Sequence, residues 1–417
     1  MNSGSRPKIN IPQELKVSSV ARSETEPQTT GVAVDSAMEV SVVMPCLNEA
    51  QTLEACIRKA QGTLEREHLA GEIIVADNGS SDGSIEIAER LGVKVVHVGA
   101  KGYGHALMAG IAAASGKYIV MGDSDESYDF GQIPSFLGPL RAGADLVMGN
   151  RFRGGIESKA MPPLHQYLGN PLLSRIGQLF FHSPVGDFYC GIRGFRKDAY
   201  ERMDLRTTGM EFATEMVVKA TLLNLRIAEV PTTLAPAGRK RPSHIRTWRD
   251  GWRTLRFFLL YSPRWLFLYP GAVLMLVGSG LGLWLLPAPR TVGNVTFDAH
   301  TLVYAAAFIL LGFQAIAFAV FTKLFAISEG LLPPSAILDK LFRYVTLEVG
   351  LLVGALLVGV GVGTSVYALG FWQSQHFGPL DYSHTMRVVI PAALCLILGV
   401  QTVFASFFLS VLGLRRR

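Results

Sequence analysis

Between residues 40 and 231, short apolar runs rich in β-branched residues alternate with longer stretches of helical spacing. The runs are 40–44, 72–76, 93–98, 118–121, 145–148 and 226–231, and the helical stretches lie at 50–62, 82–91, 103–115, 132–141 and 209–223. Strands alternating with helices of about 10–15 residues predict βαβ units and a mainly parallel sheet. Ligands of such sheets bind beyond the carboxyl ends of the strands. The polar residues that close each run are therefore the ones to inspect for chemistry.

Past residue 265 the pattern changes. Residues 266–289, 301–322, 349–375 and 388–414 contain no Asp, Glu, Lys or Arg. A helix needs about 20 residues to cross a bilayer, so four spans are expected, at about 265–288, 301–323, 347–372 and 388–414. Ahead of them a basic loop, Gly238-Arg239-Lys240-Arg241-Pro242-Ser243-His244, feeds a helix running to about Tyr261. On it Arg246, Arg249, Arg253 and Arg256 share one face, and Trp248, Trp252, Leu255 and Leu259 the neighbouring one. A basic stripe beside a Trp/Leu stripe suits a helix lying in the headgroup layer. The segment 334–344 reads as a second such helix.

The resulting partition is a disordered tail at 1–38, rich in Ser, Thr, Glu and Pro, an α/β domain at 39–243, an interfacial helix at 244–264 and a membrane domain at 265–417. Residues 1–16 lack the apolar core of a signal peptide. Lys323, Lys340 and Arg343 follow the second span and Arg415, Arg416 and Arg417 the fourth, while the loops at 290–300 and 372–387 are poor in Lys and Arg. The positive-inside rule then puts the α/β domain and both termini on the cytoplasmic side of the cell membrane.

Composition fits this division. Only 17% of residues are charged, against about 25% in soluble domains. The net charge of +6 gathers before the first span, which suits an anionic membrane surface; no nucleic-acid motif competes for it. Cys46, Cys56, Cys190 and Cys395 show no paired metal spacing, and are expected as reduced thiols.

The sharpest local feature is Met121-Gly122-Asp123-Ser124-Asp125-Glu126, where an apolar strand delivers two carboxylates one residue apart. Such hard oxygen ligands suit Mg²⁺ or Mn²⁺ shared with substrate phosphates, although Asp, Ser and Gly also favour plain turns. The other run ends carry Pro45-Cys46-Leu47-Asn48-Glu49, Asp77-Asn78-Gly79-Ser80-Ser81-Asp82 and Lys101-Gly102-Tyr103-Gly104. In this order the set resembles the GT-A-fold glycosyltransferases of family 2 over about residues 40–245. Gly149-Asn150-Arg151, the run from Asp187 through Cys190-Gly191-Ile192-Arg193 to Phe195, and Arg239-x-Arg241-x-Ser243 resemble its polyprenyl-phosphate branch, which includes dolichol-phosphate mannose and bacterial polyprenyl-phosphate glucose synthases.

The resemblance implies site roles. Pro45, Asn48, Glu49, Asp77, Asn78, Lys101, Gly102 and Asp123 would hold the nucleotide sugar, with Asp77 on the base. Asp123, Asp125 and Asp187 would bind the metal. Asp125, Asp187 and Arg151 would act at the reacting centre. Arg193, Arg239, Arg241, Ser243 and Arg246 would contact phosphate, the acceptor's included. Ser127 stands where dolichol-phosphate mannose synthases have a metal-ligating Gln, so the third ligand is open. The run from Asp123 to Phe130 looks more like the glucose-type relatives, favouring UDP-glucose over GDP-mannose as donor.

A lipid phosphate monoester, with a second pKa of about 6, is already a dianionic nucleophile at neutral pH. No general base is required, and His165, His182 and His244 need no catalytic role. Expected is inverting transfer of one hexose to polyprenyl phosphate. A processive polysaccharide synthase on the same fold ranks second; its Gln-x-x-Arg-Trp motif is met only by Arg264-Trp265 after Tyr261-Ser262-Pro263. A non-catalytic nucleotide-binding transport protein ranks third, because the four apolar segments hold no charge for a polar path. The number of subunits is open, a homo-oligomer included.

Overall fold

The computed structural model describes residues 38–238 and 247–414. The apolar runs at 40–44, 72–76, 118–121 and 145–148 become strands largely buried on both faces, as a parallel sheet between helices requires, while those at 93–98 and 226–231 form the less buried edges. In chain order, β1 (Val40–Cys46), α1 (Leu53–Arg66), β2 (Gly71–Asp77), α2 (Ser84–Arg90), β3 (Lys94–His97), α3 (Tyr103–Ala112), β4 (Tyr118–Met121), α4 (Ile133–Arg141) and β5 (Leu146–Asn150) follow the predicted alternation. Next come α5 (Arg151–Gly154), α6 (Asn170–Phe181), β6 (Arg193–Arg196), α7 (Lys197–Met203), α8 (Glu211–Leu222) and β7 (Ile227–Pro231). The sheet order is β3-β2-β1-β4-β6-β5-β7. All pairings are parallel except those of β6, which runs antiparallel between β4 and β5.

Alternation along β1 divides the core. Val42 and Met44 pack with α1 residues Leu53, Ile57 and Leu64 and with Phe136 of α4 on one face. Val43 faces Leu107 and Ile111 of α3 and Phe212 and Met216 of α8 on the other. The result is helix, sheet and helix in three layers.

The span 151–208 carries what the periodicity did not announce. β6 reads Arg-Gly-Phe-Arg, too short and too charged to show a strand period, and it is defined by its two neighbours. α6 and α7 were likewise unassigned.

A helix α9 (Thr247–Tyr261) follows. It turns Phe257 and Phe258 into the α/β core and leaves Trp248 and Trp252 85% and 60% exposed. The tryptophans thus face outward, as an interfacial helix needs, and phenylalanines do the packing. Beyond it, α10 (Tyr269–Leu285), α11 (Ala299–Ser328), α13 (Leu347–Ser374) and α14 (Tyr382–Leu414) are joined by α12 (Ala336–Tyr344) between α11 and α13. The four stretches Arg264–Leu285, Ala299–Ser328, Leu347–Ser374 and Tyr382–Gly413 are long and apolar enough to cross a membrane.

Two features differ from expectation. The loop at 290–300 contains a hairpin, β8 (Arg290–Val292) with β9 (Val295–Phe297), turning at Gly293. The last helix begins at Tyr382 and so includes Arg387, whose guanidinium bonds the Asp298 carboxylate at 2.5 Å and the Leu285 carbonyl at 3.2 Å. Asp298 caps α11 through Ala299 N, so one partly buried arginine ties the ends of α10, α11 and α14 together.

Candidate active site

The ends of β2, β1 and β4 lie side by side because these strands are neighbours in the sheet, and their loops are stitched together by side chains. At the end of β2, the Asp77 carboxylate, 2% exposed, accepts the amides of Gly79 (2.9 Å) and Ser80 (3.2 Å) and so shapes its own turn. Ser80 Oγ accepts the Asn48 amide, and Asn48 Oδ1 accepts the Ser81 amide, each at 2.8 Å. Asn48 is left-handed (φ 58°), a conformation Asn tolerates better than most residues. Glu49 N donates to Ser84 Oγ at 2.9 Å. Asn78 spans to the Lys101-Gly102 loop: its amide donates to Ala100 O at 2.8 Å and its carbonyl accepts Gly102 N at 2.7 Å. Gly102, at φ 143°, has the Thr208 carbonyl where a Cβ would stand. Lys101 is exposed.

The Asp-x-Asp turn closes β4. Ser124, the middle residue, donates to Pro45 O at 2.8 Å, and its own carbonyl accepts the Thr52 hydroxyl at 2.8 Å. This binds the turn to β1 and α1. Asp123 accepts the Tyr103 hydroxyl at 3.0 Å; burial, reinforced by the Asp123 charge, pushes that phenol well above its ordinary range. Asp125 Oδ1 accepts both the hydroxyl and the amide of Ser127. Ser127 is thus committed to holding Asp125 and does not extend outward as a ligand in place of the Gln. The returning chain completes the turn, with Gly238 N donating to Asp125 O (2.9 Å) and Ala235 N to Ser127 O (3.1 Å). It leads straight into the basic loop.

On the other side of β6 a second cluster forms. Arg151, just past β5, makes a bidentate pair with Asp187: Nε to Oδ2 and Nη2 to Oδ1, both 2.7 Å, with its amide adding a bond to Oδ2 at 3.1 Å. Their side chains are 7% and 0% exposed. Tyr189 N takes a further bond to Asp187 Oδ1 at 3.2 Å. Burial works against the Arg151 charge, but Tyr128 and Asp187 more than offset it, and the group is held cationic. Behind the pair, Glu229 of β7 accepts Gly186 N at 2.6 Å, Asp187 N at 3.3 Å and Asn150 Nδ2 at 3.2 Å. One carboxylate therefore fixes both backbone segments that carry the ion pair.

Two expectations need correction. Asp187 is not a partner of Asp123 and Asp125 for a metal: it is buried, with both oxygens engaged by Arg151. Among the described residues no three His, Cys, Asp or Glu groups gather as a metal site. Asp123 and Asp125 alone fit a Mg²⁺ or Mn²⁺ that draws its remaining ligands from nucleotide phosphates and water, which is how such ions are commonly held. Arg193 is not a phosphate contact either. It is fully buried, and its guanidinium donates to Ala213 O and Cys190 O, each at 2.7 Å. Arg239, Arg241, Ser243 and Arg246, and the tail at 1–37, lie outside the described residues.

Glu229, Tyr103, Thr52 and Tyr128, whose hydroxyl accepts Gly191 N at 2.8 Å, were not singled out from sequence. Only Glu229 carried a signal, as a lone carboxylate inside the apolar strand Ile-Ala-Glu-Val-Pro.

Comparison with known proteins agrees with this architecture. Residues 41–204 match the model described as glycosyl transferase family 2, and residues 320–413 the family 2 C-terminal transmembrane region. The low-salt glycan biosynthesis hexosyltransferase Agl6 of Haloferax volcanii is 36% identical over 381 residues, 91% of this chain and 90% of that protein. The dolichyl-phosphate hexose transferase of the same organism is 28% identical over 194 residues, 46% of this chain and 81% of that protein. Glycosyltransferase AglJ, also from Haloferax volcanii, is 29% identical over 290 residues, 68% of this chain and 93% of that protein. With its GT-A sheet, its stitched strand ends and its four apolar C-terminal helices, the chain belongs to glycosyltransferase family 2 and is a glycosyltransferase.

Proposed function

We propose that the protein transfers one hexose from a nucleotide sugar to a polyprenyl phosphate at the cytoplasmic face of the membrane, with inversion at the anomeric carbon. The observation that carries this reading is the seam between the Asp187 loop and the membrane-flanking segment. Phe258 of α9 meets the ring of Phe188, next to Asp187, at 5.8 Å, and Trp265 stacks on Phe180 of α6 at 4.9 Å. A donor held at the ends of β1, β2 and β4 would then react where a lipid phosphate can arrive from the bilayer. Relatives named hexosyltransferase and dolichyl-phosphate hexose transferase support the hexose and the lipid phosphate.

Asp77, with lone pairs beyond its turn bonds, Asn48, Glu49 and the Lys101-Gly102 loop would hold the nucleoside. Asp123 and Asp125 would hold Mg²⁺ or Mn²⁺, which supplies Lewis-acid charge to the departing diphosphate. A phosphate oxygen of the acceptor forms its bond to the anomeric carbon as the bond to the nucleoside diphosphate breaks, and the electron pair leaves with the diphosphate. The acceptor is dianionic at neutral pH, so the protein's task is orientation and charge complementarity. The basic loop bearing Arg239, Arg241, Ser243 and Arg246 is the proposed seat of the acceptor phosphate, because Arg donates bidentate bonds to phosphate. Arg151, pinned by Asp187, would present a fixed cation at the reacting centre.

The test is transfer of radiolabel from UDP-glucose, UDP-galactose or GDP-mannose into organic-extractable lipid, with polyprenyl phosphate and polyprenol as parallel acceptors. The expected result is mild-acid-labile product from one donor, UDP-glucose first, on the phosphate alone. Label in a long water-soluble polymer, or no transfer despite nucleotide binding, would overturn the reading.

A further inference from the structure

Two cations flank the first two spans without a carboxylate partner among the described residues. Arg264 opens the first span and Lys323 lies near the end of the second. The register of these antiparallel helices brings them together. Gly278 of α10 packs on Ala305 and Ile309 of α11, Gly271 on Gly312 and Ala315, and Phe267 on Phe318 at 6.1 Å between ring centroids. Each step back along the first helix is a step forward along the second. One further turn along the same register sets Arg264 against the 321–323 region. Lys323 is partly buried and donates to Ser335 Oγ at 3.0 Å. Neither cation is ion-paired to a carboxylate among the described residues.

Long cationic side chains at the end of a span ordinarily snorkel to water, and snorkelling lets like charges separate. Here the helix register sets the two positions at the same level of the bundle, beside the seam at which Trp265 stacks on Phe180. Two facing cations are stabilised by an anion between them. At this depth, on the side of the bundle that meets the α/β domain through the bond from Arg206 Nη1 to Glu329 O, the available anion is a lipid headgroup.

We propose that Arg264 and Lys323 form a seat for one lipid phosphate, distinct from the reacting centre at the Asp-x-Asp turn. Ser335, which accepts from Lys323, keeps its hydroxyl proton to donate to the same phosphate. The seat needs only a phosphate on a lipid anchor, so an anionic phospholipid and the polyprenyl phosphate acceptor share the required chemistry. It stands whether or not hexosyl transfer is the reaction.

The experiment uses the full-length protein in nanodiscs of phosphatidylcholine with a minor fraction of phosphatidylglycerol. Lipids that stay bound on release are read by native mass spectrometry. The wild type is expected to retain one phosphatidylglycerol, which the Arg264→Gln/Lys323→Gln variant loses. The two basic contacts together should weaken retention about thirtyfold, while Arg290→Gln in the β8–β9 hairpin changes nothing. Unaltered nucleotide binding and melting temperature would show the double variant to be folded. Displacement of the retained phospholipid by undecaprenyl phosphate, but not by free inorganic phosphate, would identify the seat as one that also takes the acceptor. Equal retention by wild type and double variant, or displacement by inorganic phosphate alone, would overturn the proposal.

Discussion

Two carboxylate sites lie on either side of the antiparallel strand β6, and they are built on different terms. At the end of β4, Asp123 and Asp125 are steadied by neutral donors, the hydroxyls of Tyr103 and Ser127. Past β5, Asp187 meets the Arg151 guanidinium in a bidentate pair closed off from water, with Glu229 bracing both backbones. The second pairs its carboxylate with a cation of the protein itself. The first offers oxygen donors that suit a cation and a diphosphate, while the second can hold geometry and present an oriented guanidinium.

The comparison breaks most visibly on loss of charge at the open site. Asp125→Asn removes a contact worth several kcal/mol to the transition state, so transfer should fall about a thousandfold while the melting temperature barely moves. Initial rates and thermal unfolding of the full chain in detergent check both halves. Asp187→Asn should do the reverse in its first effect: it strands a buried guanidinium, at a cost of about 3–5 kcal/mol, and the melting temperature should drop by several degrees. An Arg151→Met/Asp187→Leu double variant sharpens this. It should recover most of the lost stability and remain inactive, because the fixed cation is gone. If the double variant were active, the pair would be purely structural.

A smaller effect is expected at Glu229. Glu229→Gln keeps the shape but offers one acceptor oxygen where three amide donors converge, and a hydrogen bond to a charged group is worth about 1.5–3 kcal/mol. Turnover should fall roughly tenfold with the donor KM unchanged, since Glu229 braces the Arg151 side and touches no donor loop. The smallest effect concerns thiols. Burial pushes Cys56 and Cys190 up to about 12 and raises Cys46 as well. A neutral, enclosed thiol is a poor nucleophile. Iodoacetamide at pH 8 should therefore leave all three unmodified in the folded protein and label them after denaturation, as read by peptide mass spectrometry.

How far the sequence reveals this division depends on which physics is local. The parallel strands announce themselves because burial on both faces demands unbroken apolar runs, and the four membrane helices because a bilayer excludes charge over about 20 residues. The Asp-x-Asp turn is legible as a motif at a strand end. By contrast, β6 is a strand only because β4 and β5 flank it, and nothing in Arg-Gly-Phe-Arg declares that. Asp187 and Arg193 were read as ligands because the run that carries them resembles the polyprenyl-phosphate branch. Whether such a charge meets a substrate or a protein partner is decided by tertiary neighbours 36 residues away in one case and by two backbone carbonyls in the other. Trp248 and Trp252 were legible as an outward face, but the phenylalanines that anchor α9 were not separable from it by spacing alone.

The division of labour between the two sites is tested most directly by Mn²⁺-dependent UDP binding, followed by titration calorimetry on wild type, Asp125→Asn and Asp187→Asn at a temperature where all three are folded. The account predicts that chelating the metal weakens UDP binding to the wild type, that Asp125→Asn abolishes the metal dependence, and that Asp187→Asn preserves it. Loss of the metal dependence in Asp187→Asn, or its persistence in Asp125→Asn, would contradict the account.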